Sequence, residues 1–281
     1  MPEAAEVAKQ GIWLNQWVEA QLVSIQLDEK SKFFRKPIPG WNLLDFNKGY
    51  VIQNVFTRGK IIVICLITNK KENTYIFGDK PNIGIKNTYI TSHLGMTGFY
   101  TVKKSKHTNI WFSFANHPTL YFNDQRHFGN FTICENLTNI WKKNGPCLLT
   151  SALVRYGKLS IDSLNEHQII INRKKWHSCF KKQEKEICDF LIEQKAFSGI
   201  GNYLRADVLY KAKISPFRKI KDLSISDIDT LYEKTMEIVY LSFKSNYHFK
   251  VYMQETDSLG NPVKTIKSKG RTIHYCPNIQ V

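Results

Sequence analysis

The chain reads as an α+β protein, with an amphipathic helix first, then a β-rich domain, a helical domain and a terminal hairpin. Three observations predict this. Ala4, Val7, Ala8, Gly11 and Ile12 recur at helical spacing, so residues 3–17 form one helix. From residue 18 to 133 the pattern changes to period two in short β-rich runs. Beyond residue 160 helical spacing returns, and after residue 246 strand character comes back in a short hairpin.

Glu3 and Glu6 lie three apart on one face of the first helix. The strand candidates that follow are 18–27, 49–57, 60–68, 74–78, 88–94, 99–103, 108–115, 119–123 and 131–134. Turn chemistry separates them at Lys36-Pro37-Ile38-Pro39-Gly40, Arg58-Gly59, residues 69–73 and Asn116-His117-Pro118. Many short strands at close spacing suggest a sandwich or a barrel. Residues 135–160, with Asn144-Gly145-Pro146, read as a connection. Helices are expected over 162–171, 183–194, 199–212 and 224–243, the last started by Ser224 and Asp227. Strands are expected over 249–256, 265–267 and 271–275, with a turn at 258–262. The domain division is therefore 1–134, a linker over 135–160, 161–245, and a terminal hairpin over 246–281.

An apolar fraction of 42% gives ample core and excludes a disordered chain. Forty Lys and Arg against 24 Asp and Glu leave +16, distributed along the chain among aromatics and glycines. Such an excess fits a polyanion partner, most simply nucleic acid. Six scattered cysteines without C-x-x-C spacing fit neither a disulfide framework nor a zinc ribbon, and they suit a reducing compartment. The longest purely apolar run, Ile61 to Ile67, falls far short of the ~20 residues needed to span a bilayer. The acidic N-terminus without an apolar core segment argues against secretion.

The first residues carry the candidate chemistry. Met1 precedes the small Pro2, and its removal would expose a secondary amine. An α-amino group has an ordinary pKa of roughly 7.7–8.0, so a sizeable fraction is nucleophilic near neutrality. Such an amine attacks electrophilic carbon to form a Schiff base. Glu3 and Glu6 follow within one turn as candidate acid, base or charge stabiliser. Proline and acids at a helix start are also ordinary capping residues. Arg58-Gly59-Lys60 fits a hairpin turn and a phosphate contact equally well. The loop 92–98 places Met96 between Gly95 and Gly98, as core filler or as a wedge in a nucleic-acid stack. Asp124–Gly129 sets Arg126 and Phe128 two apart at a strand end. Ser198-Gly199-Ile200-Gly201-Asn202 precedes a helix whose N–H groups would form an anion site or a tight interhelical turn. Lys267, Lys269 and Arg271 make a basic hairpin tip.

Taken together, these motifs resemble the formamidopyrimidine-DNA glycosylase and endonuclease VIII family of base-excision repair enzymes. The resemblance covers nearly the whole chain, in the family's order. It runs through Met1-Pro2-Glu3 with Glu6, Gly59-Lys60, His93 to Gly98, Asp124 to Gly129, Gly199 to Ala206 and Gly270-Arg271-Thr272. It implies a β-sandwich behind an N-terminal helix, a helix–two-turn–helix domain and a terminal finger. It further implies that Pro2 is the Schiff-base nucleophile at the sugar C1′ and Glu3 the general acid that opens the sugar ring, with Glu6 close to both. Lys60, Asn202 and Arg271 would grip phosphates, with Gly199 and Gly201 in the same motif. Met96, Arg126 and Phe128 match the positions that fill the hole left in the duplex.

The finger departs from the bacterial pattern. Only Cys276 stands where the bacterial members have four zinc-binding cysteines, and Ile279 replaces a C-x-x-C partner. The finger resembles the zincless version of the animal endonuclease VIII-like enzymes. Ala4-Ala5 and His127 are further departures. The resemblance implies a bifunctional glycosylase and AP lyase that prefers oxidised pyrimidines and hydantoins. The alternatives are an 8-oxoguanine or formamidopyrimidine-type enzyme, or a catalytically silent protein that binds damaged DNA. No metal and no organic cofactor is expected. The expected partner is damaged DNA, duplex or single-stranded, bound by an intracellular monomer away from membranes.

Overall fold

The computed structural model describes residues 2–68, 87–181, 183–244, 247–268 and 270–281. Met1, the expected strand 74–78, the turn 69–73 and Lys269 lie outside the described residues. Two compact units form, one from Met1–Pro2 and Val7–Ile140, the other from Glu3–Glu6 and Trp141–Val281. They are called the β unit and the helical unit below.

The first helix, α1 (Ala4–Leu14), ends in a 3-10 turn at Asn15–Trp17. In the β unit an eight-stranded antiparallel ladder runs in the order β5-β7-β6-β1-β2-β3-β4-β8. Its strands are β1 (Gln21–Leu27), β2 (Tyr50–Arg58), β3 (Ile61–Thr68), β4 (Thr88–His93), β5 (Phe99–Thr101), β6 (Thr108–Phe114), β7 (Leu120–Asn123) and β8 (Asn130–Cys134). A short helix, α2 (Lys32–Arg35), follows β1. The apolar run of β3 is explained by its place in mid-ladder, where Ile62 to Leu66 are all buried. The two ends of the ladder meet. Phe122 of β7 packs on Phe131 of β8 with ring centroids 4.9 Å apart, and Tyr100 of β5 reaches the same ring at 6.5 Å. A sheet whose ends touch is rolled over one core, as the sandwich expectation requires. Arg58 pairs with Ile61, so Gly59-Lys60 is a two-residue hairpin loop. Gly59 takes φ 61° at its first position, which a side chain would resist.

The helical unit contains α3 (Thr138–Trp141, at the boundary), α4 (Leu148–Arg155), α5 (Arg173–Cys179), α6 (Ile187–Leu191), α7 (Asn202–Ala212) and α8 (Ile225–Phe243). Its hairpin is β9 (Lys264–Ser268) with β10 (Arg271–Tyr275). Nearly every residue of α7 is buried, so it is the spine of this unit. Ser224 and Asp227 close a full capping box on α8, as the sequence predicts. Trp176 of α5 stacks on Phe197 at 4.7 Å and donates its indole N–H to the Ile228 carbonyl at 3.1 Å.

Several expected elements differ. The stretch 135–160 is no simple connection, since it carries α3 and the buried α4. Asn144-Gly145-Pro146 introduces α4 rather than marking the middle of a loop. The helix expected over 162–171 is only a 3-10 turn at Ile161–Ser163. There Ser160, Asn165 and Gln168 side chains accept the backbone N–H groups of Asp162, His167 and Asn165, which favours turns. The helix begins instead at Arg173, capped by Asn172, whose side chain accepts the Lys175 N–H at 2.9 Å. The helix expected over 183–194 shortens to α6, because Gln183 and Lys185 carbonyls take the N–H groups of Lys221 and Ile220. The strand expected over 249–256 is absent. The N–H groups of Lys250, Val251 and Tyr252 go to the Asp207 carboxylate of α7 instead of a neighbouring strand.

Candidate functional site

The helical unit places both N-terminal acids against the start of α7. Glu3 is 1% exposed. Its Oε2 accepts the Gly201 N–H at 2.6 Å and the Leu204 N–H at 3.3 Å, and its Oε1 accepts the Tyr203 N–H at 2.9 Å. The helix has no side-chain cap from Gly201, so Glu3 supplies the missing acceptor from the far end of the sequence. The Ala4 N–H donates to the Gly199 carbonyl at 3.1 Å and fastens the segment a second time. Glu6 is exposed, but its carboxylate is held on two sides. Oε2 accepts the Glu3 N–H at 2.9 Å, the reciprocal half of a capping box on α1. The Tyr203 hydroxyl donates to Oε1 and Oε2 at 3.0 and 3.1 Å. Burial, then the charges of Glu6 and Glu3, push the Tyr203 phenol far above its ordinary range, so it stays a donor.

The sequence left the Gly199–Gly201 stretch open between an anion site and a tight interhelical turn. The anion at that helix start is the chain's own Glu3, and the Gly199 N–H donates to Gln194 Oε1 at 2.9 Å. Asn202 also has an internal task. Its Nδ2 donates to the Thr272 carbonyl of β10 at 2.9 Å, and its Oδ1 accepts from Arg205. Arg205, 1% exposed, donates to that same carbonyl at 3.2 Å. α7 thus grips the hairpin strand one residue beyond Arg271, which is exposed beside Gly270 at φ 75°. The finger closes on Asp257. That carboxylate accepts from the Tyr210 hydroxyl at 3.0 Å, the Leu259 N–H at 2.8 Å and the Asn261 N–H at 2.9 Å. Cys276 is fully buried, with Sγ 3.8 Å from Asp257 Oδ2.

The β unit brings Met96, Arg126 and Phe128 together in two facing loops. Met96 is 38% and Phe128 49% exposed, and the Arg126 guanidinium lies 4.8 Å over the Phe128 ring. Asp124, 1% exposed, joins the loops. It accepts the Thr97 hydroxyl at 2.5 Å, the Arg126 N–H at 3.3 Å and the Gly129 N–H at 2.7 Å. Gly95, at φ 68°, lets the loops touch, because a Cβ there would lie 2.5 Å from the Phe128 carbonyl carbon. His93 Nδ1 accepts the Gly95 N–H at 3.1 Å. Burial, then the charge of Lys60, holds the His93 pKa below 6.5. Lys60 is 8% and Arg58 4% exposed at the β2–β3 turn. Pro2 is half-buried and precedes Glu3 in the chain.

Sequence reasoning quoted Asp124 and Tyr203 inside motifs but gave neither a role. An Asp followed by backbone donors two and five residues on is a readable loop-closing signal. No local signal reveals that Tyr203 reaches Glu6. Among the described residues no helix is long and apolar enough to cross a membrane.

Comparison with known proteins agrees with this geometry. The sequence profile of the formamidopyrimidine-DNA glycosylase N-terminal domain matches residues 1–131, and that of the formamidopyrimidine-DNA glycosylase H2TH domain matches residues 159–248. A formamidopyrimidine-DNA glycosylase of Listeria monocytogenes serotype 4b is 29% identical over 226 residues, 70% of this chain and 76% of that protein. One from Bacillus cereus is 23% identical over 306 aligned residues, 100% of this chain and 99% of that protein. The fold matches MutM (Fpg) from Thermus thermophilus with a TM-score of 0.75 at 21% identity, covering 99% of this chain and 98% of that one. It matches Lactococcus lactis Fpg non-covalently bound to AP-site-containing DNA with a TM-score of 0.74 at 24% identity, covering 99% of both chains.

Proposed function

The chain belongs to the formamidopyrimidine-DNA glycosylase family, and from that membership we propose that it is a bifunctional DNA glycosylase and AP lyase acting on oxidised bases. The observation that carries the reading is the pair of carboxylates that follow Pro2 in the chain, with Glu3 buried on the start of α7 and Glu6 bonded to the Glu3 N–H.

A base inside a duplex is out of reach, so the nucleotide must be extruded at a cost of a few kcal/mol. Met96, Arg126 and Phe128 suit the space left behind, being exposed apolar and cationic groups on loops braced by Asp124. The Pro2 nitrogen attacks C1′, the N–C1′ bond forms, and the bond from C1′ to the base breaks, the base leaving with the bonding pair and taking a proton from water. Glu3, held by three backbone N–H groups, is placed as counter-charge to the cation that develops. Glu3 takes the proton that Pro2 sheds and passes it to the ring oxygen as the bond from C1′ to that oxygen breaks, which leaves an iminium between C1′ and the Pro2 nitrogen. The resulting iminium acidifies the C2′ proton, and β-elimination expels the 3′ phosphate. A second elimination releases the sugar remnant. Lys60 and Arg271 supply cations for the flanking phosphates, and Asn202 adds an amide N–H beside its bond to Thr272.

Within oxidised bases the proposed preference is for oxidised pyrimidines and hydantoins. What supports it is the finger, which resembles the zincless fingers in sequence and whose single cysteine packs on the Asp257 hydrogen-bond hub.

The test is borohydride trapping on oligonucleotides that carry an abasic site, an oxidised pyrimidine, a hydantoin or 8-oxoguanine. Protein lacking Met1 should form a covalent adduct, and Pro2→Thr should not. Absence of any adduct sinks the lyase reading and leaves a DNA-binding protein. Preferential excision of 8-oxoguanine overturns the lesion preference alone. Affinity should fall with salt at a log–log slope of about −0.9 per neutralised phosphate.

A further inference from the structure

We infer that Tyr203 is the positioning residue of the N-terminal amine: its hydroxyl fixes Glu6, and Glu6 fixes the peptide that carries Pro2. This rests on the amine chemistry proposed above and extends it to a residue outside the reacting groups.

Tyr203 is the second residue of α7 and touches both acids. Its N–H donates to Glu3 Oε1 at 2.9 Å, while its hydroxyl spans both oxygens of Glu6 at 3.0 and 3.1 Å. Glu6 in turn accepts the Glu3 N–H at 2.9 Å. That N–H belongs to the peptide whose carbonyl is Pro2's, so the bond sets the plane of the unit that bears the amine. Glu6 itself is exposed, and an exposed carboxylate side chain samples many rotamers unless something holds it. The hydroxyl is that restraint.

The ring beneath the hydroxyl is immobile. Tyr203 is 6% exposed and packs against Phe249 at 5.1 Å and against Tyr247 and Tyr252 at 6.3 Å. Tyr247 and Tyr252 are themselves pinned to Asp207 of the same helix. Ser242 of α8 stands beside the phenol, its own hydroxyl donating to the Val239 carbonyl at 2.8 Å. Charged groups around this centre include Glu3, Glu6, Asp207 and, on α8, Glu237, with Arg205 acting on Glu3 and the Lys250 ammonium 5.7 Å over the Tyr247 ring. The side-chain donor on the Glu6 carboxylate is the Tyr203 hydroxyl. A phenylalanine would fill the same space and pack on the same rings. The hydroxyl is therefore separable from the core role of the ring.

The test compares Tyr203→Phe with the parent, using Tyr203→Ala as the reference for plain structural loss. Removing one charge-assisted hydrogen bond should slow trapping at an abasic site about ten-fold. Affinity for a non-cleavable abasic analogue should stay near the parent's. Tyr203→Ala should lower Tm, affinity and rate together. Exchange protection of the Glu3 N–H, measured without DNA, reads the same link through Glu6 and should drop in Tyr203→Phe. A Phe variant with the parent's trapping rate and Glu3 N–H protection overturns the inference, as does one that loses Tm, affinity and rate in step. If the parent itself never traps, the proposed function falls alone, and the Glu3 N–H protection still decides whether Tyr203 holds Glu6.

Discussion

Asp124 of the β unit and Glu3 of the helical unit are both 1% exposed carboxylates tied down by backbone N–H groups. They differ in what they connect. Asp124 joins loops only a few dozen residues apart, through Thr97, Arg126 and Gly129. Glu3 joins the third residue of the chain to Gly201, Tyr203 and Leu204. The first bond set shapes a surface that presents Met96 and Phe128. The second fixes the residue next to the proposed nucleophile. One physical device, a carboxylate that satisfies otherwise orphaned donors, thus braces an exposed loop pair in one unit and anchors the segment proposed for chemistry in the other.

Glu3→Gln and Asp124→Asn test that division and should give the largest effects. Each leaves an amide NH2 facing a backbone N–H, at a stability cost of about 1–3 kcal/mol. Glu3→Gln should also cut strand cleavage at an abasic site by about 10²-fold or more, as expected for loss of an acid–base group. Asp124→Asn should leave abasic-site cleavage within about three-fold while lesion excision drops, because only the loops proposed to fill the duplex are loosened. Denaturant melts and the two cleavage assays read this directly. Equal loss of both activities in Asp124→Asn would erase the distinction.

Gly95 and Gly270 give a smaller contrast of the same kind. Both have positive φ, 68° and 75°. A non-glycine residue there costs about 1–2 kcal/mol in either case. At Gly270 a Cβ meets nothing within 4 Å, whereas at Gly95 it lies 2.5 Å from the Phe128 carbonyl carbon. Gly95→Ala should therefore lower Tm clearly more than Gly270→Ala, and only Gly95→Ala should disturb the Phe128 loop. Equal Tm losses would mean that the loops are not in firm contact.

The sequence was most informative where structure is local. The β3 run, the Gly59 turn and the Ser224 cap fell close to where periodicity and turn chemistry set them. It was least informative where a side chain captures a distant backbone. Residues 249–256 have strand composition, but Asp207 takes three of their N–H groups, and nothing near residue 250 announces that. The Gly-x-Gly at 199–201 read as an anion site or a tight turn, and nothing local shows that the acid on it is Glu3. In the site, Glu3 and Glu6 were legible as acids next to an amine. Their fixation by Tyr203 was not, since it needs the fold to bring residue 203 to residue 6.

The smallest effect concerns acid and again separates the two units. His93 in the β unit and His274 in the helical unit both titrate below 6.5, chiefly through burial, with Lys60 adding to the first and Arg205 to the second. A histidine with a lowered folded-state pKa binds its proton more readily when the chain is unfolded. Stability is therefore full above the ordinary imidazole value and falls as pH drops through it toward the folded value. The structural consequence differs between the two. His93 Nδ1 is the acceptor for the Gly95 N–H at 3.1 Å, so protonation breaks a bond at the base of the Met96 loop. His274 Nδ1 has no hydrogen-bond partner among the described residues, so protonation there adds charge beside Arg205 without breaking a bond. Melts at about pH 7.5 and about pH 5.5, either side of that imidazole value, should show a smaller acid loss in His93→Gln and in His274→Gln than in the parent. Exchange protection of the Gly95 N–H, relative to its intrinsic rate at each pH, should fall in acid in the parent and not depend on His274. Unchanged Gly95 protection across that range would show that the loop bearing Met96 is held by Asp124 alone.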